Sequence, residues 1–344
     1  MTTDSHSAAE FAVTIPAVFV KGMLSGVTGR GESPAIFLRD AQIPAQRLEQ
    51  TDARVTLEQY LALFRSLNVR RDDAMLGFLS RKFRRGSLGI IVRAGVSAPN
   101  LQLAMRRMAR AFNLLQDDLV LRVVHEDRRT GLTLHFHNPE ASWPNFLHEV
   151  LLRVYWRFLL WLSGEQLRVS RFDFSYSAPS YAKEYRPMFP GQLRFGRARS
   201  ALWIESALLD AATRQSEDSV PRFLRESQAY VVYQKSWEET TATRVRSLLQ
   251  AAQLNWPELG ACAKKLHVSS ATLQRRLAAE KTSFQTIKDE LRRDMAIEKL
   301  HSSGMSLERL GAELGFSSRD AFHHAFKKWT GSTPAAYRTQ GLAG

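Results

Sequence analysis

The C-terminal third of the chain contains the same short helical unit twice. Leu259 and Cys262 in the first copy are matched by Leu307 and Leu310 in the second, at an offset of 48 residues that grows by one after the turn. Each copy has one helical pattern, a short turn and a second helical pattern with apolar residues four positions apart. This layout predicts two helix-turn-helix units, each burying one face and offering the other to a DNA groove.

The second helix of the first copy has a polar face suited to reading base edges. Its apolar stripe is Leu273 and Leu277, and Ser269 or Ser270 can cap its first turn. Arginine can bond guanine O6 and N7 with its fork, and glutamine can bond adenine N6 and N7. The same residues would equally suit an ordinary solvated helix face. The residues predicted to face outward are Ser270, Ala271, Gln274, Arg275 and, on the flank, Arg276.

The second copy repeats this arrangement with a glycine at its turn. Ser306 can cap the first helix, Leu307–Leu314, and Gly315 follows where a left-handed backbone favours glycine. Phe322 and Phe326 are predicted to face inward. Neighbouring histidines in a helix point about 100° apart, so His323-His324 does not predict a metal site. The residues left outside are Arg319, Asp320, His323, His324 and Lys327.

The segment between the copies predicts one connecting helix. Its apolar residues recur at helical spacing from Phe284 to Leu300, and Lys288, Arg292 and Arg293 fall on its polar side. A rigid connector would fix the distance between the two recognition helices. Successive major grooves on one face of a duplex lie about 34 Å apart, so one chain could read two half-elements of a DNA site.

The second copy also resembles the signature of AraC-type transcription regulators. The matching features are Gly315-Phe316, the F-K-x-W-x-G pattern from Phe326 to Gly331, and the P-x-x-Y-R pattern from Pro334 to Arg338. Val268 to Gln285 is similar to the first half of the same signature, and the resemblance covers about Val245 to Arg338. It implies a sequence-specific DNA-binding transcription regulator with double-stranded promoter or operator DNA as its partner.

The same resemblance implies which side chains touch DNA. In the first copy these are Ala271, Gln274 and Arg275, of which Ala271 could make only an apolar contact, for example to a thymine methyl group. In the second copy they are the five outward residues given above. Asp320 departs from a simple basic reader and would select cytosine or discriminate against wrong bases.

Length and charge set the broad class of the protein. A chain of 344 residues exceeds one ordinary core, so two domains are expected. The net charge of +14 suits a polyanionic partner, but the basic residues are spread along the chain and do not locate the DNA-binding face. Cys262, the only cysteine, is expected to be a buried apolar residue. Without a signal peptide or membrane span, the sequence predicts a cytoplasmic protein with no membrane partner, metal or cofactor.

The front two thirds of the sequence predict an α+β domain over residues 1–210, followed by a linker at 211–236 and an all-α DNA-binding domain at 237–344. The order is interleaved and contains a hairpin, which favours α+β over a doubly wound sheet. The predicted helices are Thr56–Leu67, Asp72–Phe83, Asn100–Leu115, Asn145–Leu162 and Arg222–Gln234. The predicted strands are Leu88–Ala94, Leu119–Val124, Leu132–Phe136, Arg171–Tyr176, Gln192–Phe195 and Ala201–Glu205.

The front part resembles the arabinose-binding-like N-terminal domain of one branch of AraC-type regulators. The similar segments are Asp72–Leu79, Gly86–Gly95 and Tyr181–Phe195. This resemblance implies a domain that senses a small-molecule effector and forms a homodimer. An activator of this type would also contact RNA polymerase.

One helix of the front part suggests where an effector could bind. Asn145–Leu162 is apolar nearly all round, and aromatic residues facing a cavity would form a small-molecule pocket. The candidate ligand-binding residues are Tyr155 and Trp156 on this helix and His135 and His137 on one strand face. The alternatives are a plain core helix and partly exposed strand histidines.

Two other classes of function fit the sequence less well. An enzyme with a DNA-binding tail is disfavoured because the sequence has no G-x-S-x-G, Walker loop, H-E-x-x-H or cysteine-based catalytic motif. A constitutive or architectural DNA-binding protein without a ligand would bind different sequences with nearly uniform affinity. The tandem recognition helices and the large front domain argue against that alternative.

Overall fold

The structure, a computed structural model, describes residues 14–50, 52–138, 145–186, 188–225, 241–252, 256–280 and 282–342. These residues divide into two units. The front unit draws on Val18–Ala41 and Leu61–Trp237, and the C-terminal unit draws on Met1–Ala17, Gln42–Tyr60 and Glu238–Gly344.

Helices and strands are numbered here in chain order within the described residues. The helices are α1 (Ala17–Thr28), α2 (Ala35–Asp40), α3 (Ala45–Leu48), α4 (Leu57–Arg71), α5 (Ser87–Val96), α6 (Leu101–Leu115), α7 (Asn145–Leu162), α8 (Thr241–Ala251), α9 (Leu259–Lys265), α10 (Ser270–Ala279), α11 (Phe284–Ser302), α12 (Leu307–Glu313), α13 (Arg319–Thr330) and α14 (Pro334–Leu342). The strands are β1 (Thr14–Pro16), β2 (Arg54–Thr56), β3 (Leu119–Glu126), β4 (Arg129–Phe136), β5 (Arg171–Asp173), β6 (Gln192–Arg194) and β7 (Ala201–Glu205).

The front unit is built around a five-stranded sheet in the order β3-β4-β7-β5-β6. All neighbours in it are antiparallel except β5 and β6. The predicted hairpin is confirmed: Leu119 pairs with Phe136, and Asp127 turns the chain with a φ of 51°. The mixed sheet with flanking helices confirms the predicted α+β class.

Helix α7 is the central helix of the front core. Every residue from Phe146 to Leu162 except Val150 is buried, as its nearly continuous apolar sequence predicts. Helix α6 begins at Asn100, whose side-chain oxygen accepts a hydrogen bond from the backbone N–H of Leu103 at 2.9 Å. This N-cap satisfies one of the free donors of the first turn and sets the predicted start of the helix.

The strand predicted at Leu88–Ala94 is wrong, because this segment lies in helix α5. Its short apolar run is compatible with a buried strand or a buried helix, and periodicity alone does not separate them. Packing against α6 distinguishes the helix from the strand, because a Cβ on Gly95 would lie 2.6 Å from the Met108 sulfur of α6. The two helices therefore pack closely at this glycine, while Ile90 on the opposite side of α5 is 55% exposed.

The helix predicted at Asp72–Phe83 is also wrong, because this segment is a loop. The buried Asp73 carboxylate accepts backbone hydrogen bonds from Met75 at 3.0 Å, Gly77 at 2.8 Å and Phe83 at 3.0 Å. A side chain that bonds nearby N–H groups offers the backbone an alternative to helical hydrogen bonds. The apolar spacing that imitates a helix instead comes from side chains packed inward from the loop.

The C-terminal unit contains the two predicted helix-turn-helix units, α9–α10 and α12–α13. Each has its own apolar core, and the long helix α11 contributes to both. Ile287 and Leu291 lie in the first core, and Ile297 and Leu300 lie in the second. The buried thiol of Cys262 belongs to the first core, and burial raises its pKa, so it remains a protonated apolar group.

Two segments from the beginning of the chain belong to the C-terminal unit. Strands β1 and β2 pair in antiparallel fashion, and the Thr14 hydroxyl donates to Asp294 of α11 at 2.5 Å. Arg47, 1% exposed, donates to the backbone oxygen of Tyr337 at 2.8 Å, and its guanidinium lies 4.2 Å from the centroid of the Tyr337 ring. The P-x-x-Y-R tyrosine thus has a structural partner that the motif alone does not reveal.

The domain limits at residues 210 and 237 stay a prediction. Residues 226–236 of the predicted linker and the end of the helix predicted at Arg222–Gln234 lie outside the described residues, while 220–225 form a helical turn. No helix in the described ranges combines the length and apolar character required to cross a bilayer.

Candidate functional site

Helix α10 presents the predicted polar face of the first copy. Ser269 caps it, with its hydroxyl accepting from the Thr272 N–H at 3.1 Å, and Leu273 and Leu277 are buried beneath it. All five predicted outward residues are exposed: Ser270, Ala271, Gln274, Arg275 and Arg276. Within the described ranges, the side chains of Gln274, Arg275 and Arg276 make no hydrogen bond or ion pair, so their donors are available to a ligand.

Helix α13 presents the corresponding face of the second copy. Ser318 caps it by accepting from the Ala321 N–H at 3.1 Å, and the buried Phe322 and Phe326 hold it on the second core. His323 is half-buried, and the exposed members of the predicted set are Arg319, Asp320, His324 and Lys327. As in α10, none of these five side chains has a hydrogen-bond or ion-pair partner among the described residues.

The two turns share an unusual backbone conformation. Gly315 has a φ of 76°, and His267, at the equivalent place in the first copy, has a φ of 56°. Only glycine adopts this left-handed region without a steric cost from Cβ. The repeat therefore extends to the backbone of the turn, where the first copy retains the conformation with a non-glycine residue. The glycine in the second copy's motif indicates this left-handed backbone from the sequence, whereas His267 in the first copy gives no such indication.

Arg292 connects the two helix-turn-helix units and was assigned by sequence only to the polar side of the connector. Its guanidinium lies 5.5 Å from the ring centroid of Trp256, in the core of the first copy, and 5.3 Å from that of Phe316, in the turn of the second. Its Nε also donates to the backbone oxygen of Leu314 at 3.0 Å, which satisfies a free carbonyl at the end of α12.

This arrangement orients the two recognition helices with respect to each other. The two copies share helix α11, and one arginine side chain binds aromatic rings from both. Stacking of a guanidinium on aromatic faces and a carbonyl bond are directional contacts that lysine would reproduce poorly. Sequence reasoning found the connector but missed Arg292, because its partners are 36 residues before and 24 residues after it.

The front unit contains a separate, apolar cavity of about 90 Å³. Its walls come from α4, the loop at 74–78, the start of α5, helix α7 and Leu224. Four phenylalanine rings line it, those of Phe64, Phe78, Phe146 and Phe158. Asn68 is the only one of the described lining residues with a polar side chain. Such a lining can hold an apolar molecule, and its described side chains offer almost no hydrogen bonds.

The predicted ligand-binding residues lie elsewhere in the front unit. Tyr155 is buried, and its hydroxyl donates to the backbone oxygen of Met108 at 3.1 Å. Trp156 is buried on the same helix, and His135 shares a hydrogen bond with the Thr133 hydroxyl at 2.8 Å. Burial and the nearby Arg199 lower the pKa of His135. None of these residues or His137 lines the described cavity, and their role in ligand binding stays a prediction.

A buried carboxylate on α7 was not singled out from the sequence. Glu149 is 2% exposed and accepts hydrogen bonds from the hydroxyls of Tyr181, at 3.2 Å, and Tyr185. Burial raises the pKa of Glu149 to about 7, although both tyrosines and the Arg153 charge act to lower it. The charge state of this group therefore changes near neutral pH.

The chain is similar in sequence to known transcription regulators over most of its length. The family model described as the arabinose-binding domain of AraC transcription regulators, N-terminal, matches residues 31–212, and that of a helix-turn-helix domain matches residues 262–340. The ornithine utilization regulator of Pseudomonas aeruginosa is 25% identical over 328 residues, which cover 95% of this chain and 97% of that protein.

Two further comparisons span nearly the whole chain. The HTH-type transcriptional regulator VirS of Mycobacterium tuberculosis is 26% identical over 318 residues, which cover 90% of this chain and 92% of that protein. The crystal structure of the transcriptional regulator CdpR from Pseudomonas aeruginosa is 19% identical and covers 93% of this chain and 97% of that one, with a TM-score of 0.29.

Proposed function

The chain belongs to the AraC family of DNA-binding transcription regulators with an N-terminal effector domain, and on that basis we propose that α10 and α13 read bases in successive major grooves of one operator. The observation that carries the proposal is the pair of capped helices whose exposed polar side chains have no partner within the described part of the chain. Such donors and acceptors are free to exchange water for base edges without breaking protein hydrogen bonds.

Individual roles follow from the chemistry of the exposed groups. Arg275 would bond guanine with its fork, Gln274 would bond adenine, and the Ala271 methyl group would contact thymine. In the second helix, His324 and Lys327 would contact bases or phosphates, and Asp320 would select cytosine. Ser270, Arg276, Arg319 and His323 complete the proposed DNA contacts at the edges of the two faces.

The connector supports simultaneous reading by both helices. Because α11 is shared by both cores and Arg292 binds rings from both copies, the two reading faces are held at one spacing. A fixed spacing matches a DNA site whose two elements lie about one helical turn, or 34 Å, apart.

The front unit would then control DNA binding through a small-molecule effector. The family model that matches residues 31–212 defines it as the effector domain, and it contains a cavity able to hold a ligand. We further propose that the protein acts in the cytoplasm as a homodimeric activator that contacts RNA polymerase at its promoters.

The experiment that tests this function uses the full chain and duplexes that carry both elements of a selected site. Arg275→Ala should weaken binding by about 10- to 100-fold at one base pair of the first element, and Lys327→Ala should act only at the second element. Lys264→Ala, which removes an exposed cation on α9 outside both reading faces, is the matched control. Nearly equal affinity for all sequences, with normal salt dependence, would instead indicate an architectural DNA-binding protein.

A further inference from the structure

The apolar cavity of the front unit has a chemistry that its family name does not suggest. Among the thirteen described residues that line it, twelve have apolar side chains and none is charged. A sugar brings several hydroxyl groups, and each one buried without a partner weakens binding by about 5- to 150-fold. An ionised ligand would need a buried counter-charge, which the described lining residues do not supply.

Size restricts the occupant further. The cavity has a volume of about 90 Å³ and is partly open to solvent. A dry apolar cavity of about 150 Å³ in another protein encloses benzene, so this smaller cavity can take at most one six-membered ring, with part of the ring in the open mouth, or a short alkyl chain. Four phenylalanine rings favour an aromatic ring in edge-to-face contact, and the flexible Met75 side chain can adjust to its shape.

Asn68 supplies the only polar side chain among the described residues that line the cavity. It lies on α4 and is partly exposed, and its amide group makes no hydrogen bond within the described residues. An occupant with a single hydroxyl group could therefore bond Asn68 while its apolar part fills the cavity. The described lining side chains can therefore match about one polar group of a ligand.

The cavity wall also differs from an ordinary packing defect because one side of it is a strained loop. Leu76 has a φ of 53°, which is costly for a residue with a Cβ, and the loop is held by the Asp73 carboxylate. The Arg30 Nε donates to the backbone oxygen of Gly77 at 2.7 Å and adds a second restraint. Residues in sparsely populated backbone regions persist only where their surroundings hold them, and they cluster at ligand sites and switches.

Helix α1 packs directly against this loop. A Cβ on Gly26 would lie 2.5 Å from the backbone oxygen of Leu76, so the glycine allows the two backbones to approach. A ligand that displaces the loop must therefore also shift α1 or break the Asp73 bonds. Occupancy of the cavity can therefore alter the position of this loop and of α1.

We propose that this cavity is the effector site and that it binds a small, uncharged, apolar molecule of up to single-ring size with at most one hydrogen-bonding group, rather than a sugar. The proposal rests on the proposed function, because an effector must alter DNA binding. It adds the position of the site and the chemical class of its ligand.

The test uses the full chain with benzene, phenol and arabinose as probes. Benzene and phenol should bind saturably, raise the melting temperature of the front unit and change the affinity for operator DNA, whereas arabinose should have none of these three effects. Val150→Trp, which fills the cavity from α7, should abolish all three effects while leaving DNA binding without ligand unchanged. Val150→Ala, the matched control at the same position, should still bind benzene and should also bind a molecule with a larger ring.

Asn68→Leu separates the polar contact from the apolar one. This variant should bind phenol about tenfold more weakly and benzene with unchanged affinity, since it loses one hydrogen bond to the phenol hydroxyl. Equal binding of the probes to wild type and Val150→Trp, saturable arabinose binding, or occupancy that leaves DNA affinity unchanged would each overturn the proposal. Absence of sequence-specific DNA binding by the wild-type chain, both with and without the probes, would instead refute the proposed function.

Discussion

Replacing Arg292 by alanine should uncouple the two recognition helices without unfolding either helix-turn-helix unit. Arg292 has an 18% exposed side chain and binds Trp256, Phe316 and the backbone oxygen of Leu314. Each cation–π contact contributes about 0.5–1 kcal/mol, and a hydrogen bond from a charged donor about 1.5–3 kcal/mol. Its ion pair with Asp289, at 3.6 Å, adds little.

These contacts together give about 2.5–5 kcal/mol that favours one orientation of the two copies. If about half of this energy fixes the spacing, the variant should bind a two-element site about 10- to 100-fold more weakly. Its affinity for a duplex with a single element should change by less than about twofold, because neither reading face is altered. The affinity of Arg292→Lys for the two-element site should lie between those of wild type and Arg292→Ala, since lysine keeps the charge but lacks the planar fork.

Fluorescence anisotropy on duplexes with varied spacers measures this effect. Wild type should prefer one spacer strongly and lose affinity when one base pair is inserted between the elements. Arg292→Ala should show a weaker preference. Gln285→Ala, on the exposed side of the same helix, is the control and should behave as wild type, since among the described residues its side chain bonds only Asp289. If Arg292→Ala retains the wild-type spacer preference, the arginine does not fix the orientation of the helices.

Three further predictions concern the turns, the buried carboxylate and the first reading face. Gly315→Ala should destabilise the C-terminal unit by about 1–2 kcal/mol because a Cβ is strained at a φ of 76°. His267→Ala should change stability by less than about 0.5 kcal/mol, since a Cβ is already present there. Chemical denaturation measures both variants, and equal losses of stability would contradict the prediction. Glu149 has a raised pKa in the folded state, so its stabilising effect is complete below about pH 4.5 and is lost as pH rises through about 7. Glu149→Gln should remove this dependence and stabilise the front unit at pH 8 by up to about 3 kcal/mol relative to wild type, as measured by urea unfolding at several pH values; parallel pH profiles would contradict it. Arg275→Ala should cost about 1–3 kcal/mol of binding and relax specificity at one base pair, whereas uniform weakening across a panel of duplexes would make Arg275 a phosphate contact.

The C-terminal helices were predictable because their burial follows a single period. The stripes of Leu273 and Leu277 and of Phe322 and Phe326 fix which residues face outward, and serine caps set where the helices begin. Periodicity carries no information on contacts between distant segments. It therefore missed the position of Arg292 between two rings and the packing of Arg47 against the P-x-x-Y-R tyrosine.

The front unit was harder to predict, for reasons visible in two segments. In the loop after α4, one carboxylate replaces helical hydrogen bonds, so Asp73 overrides an apolar spacing that resembles a helix. In α5, a short apolar run is equally compatible with a strand until Gly95 meets Met108. Several segments that are distant in sequence line the cavity, and only the aromatic residues of α7 indicated it from the sequence.

The most direct test of the central claim is a binding selection with the full chain on a random DNA pool at near-physiological salt. The full chain is required because residues 42–60 belong to the C-terminal unit and pack on its last helix. We predict enrichment of a two-part site with elements about one helical turn apart. Enrichment of a single element, or of none while salt-dependent binding persists, would contradict reading by both helices.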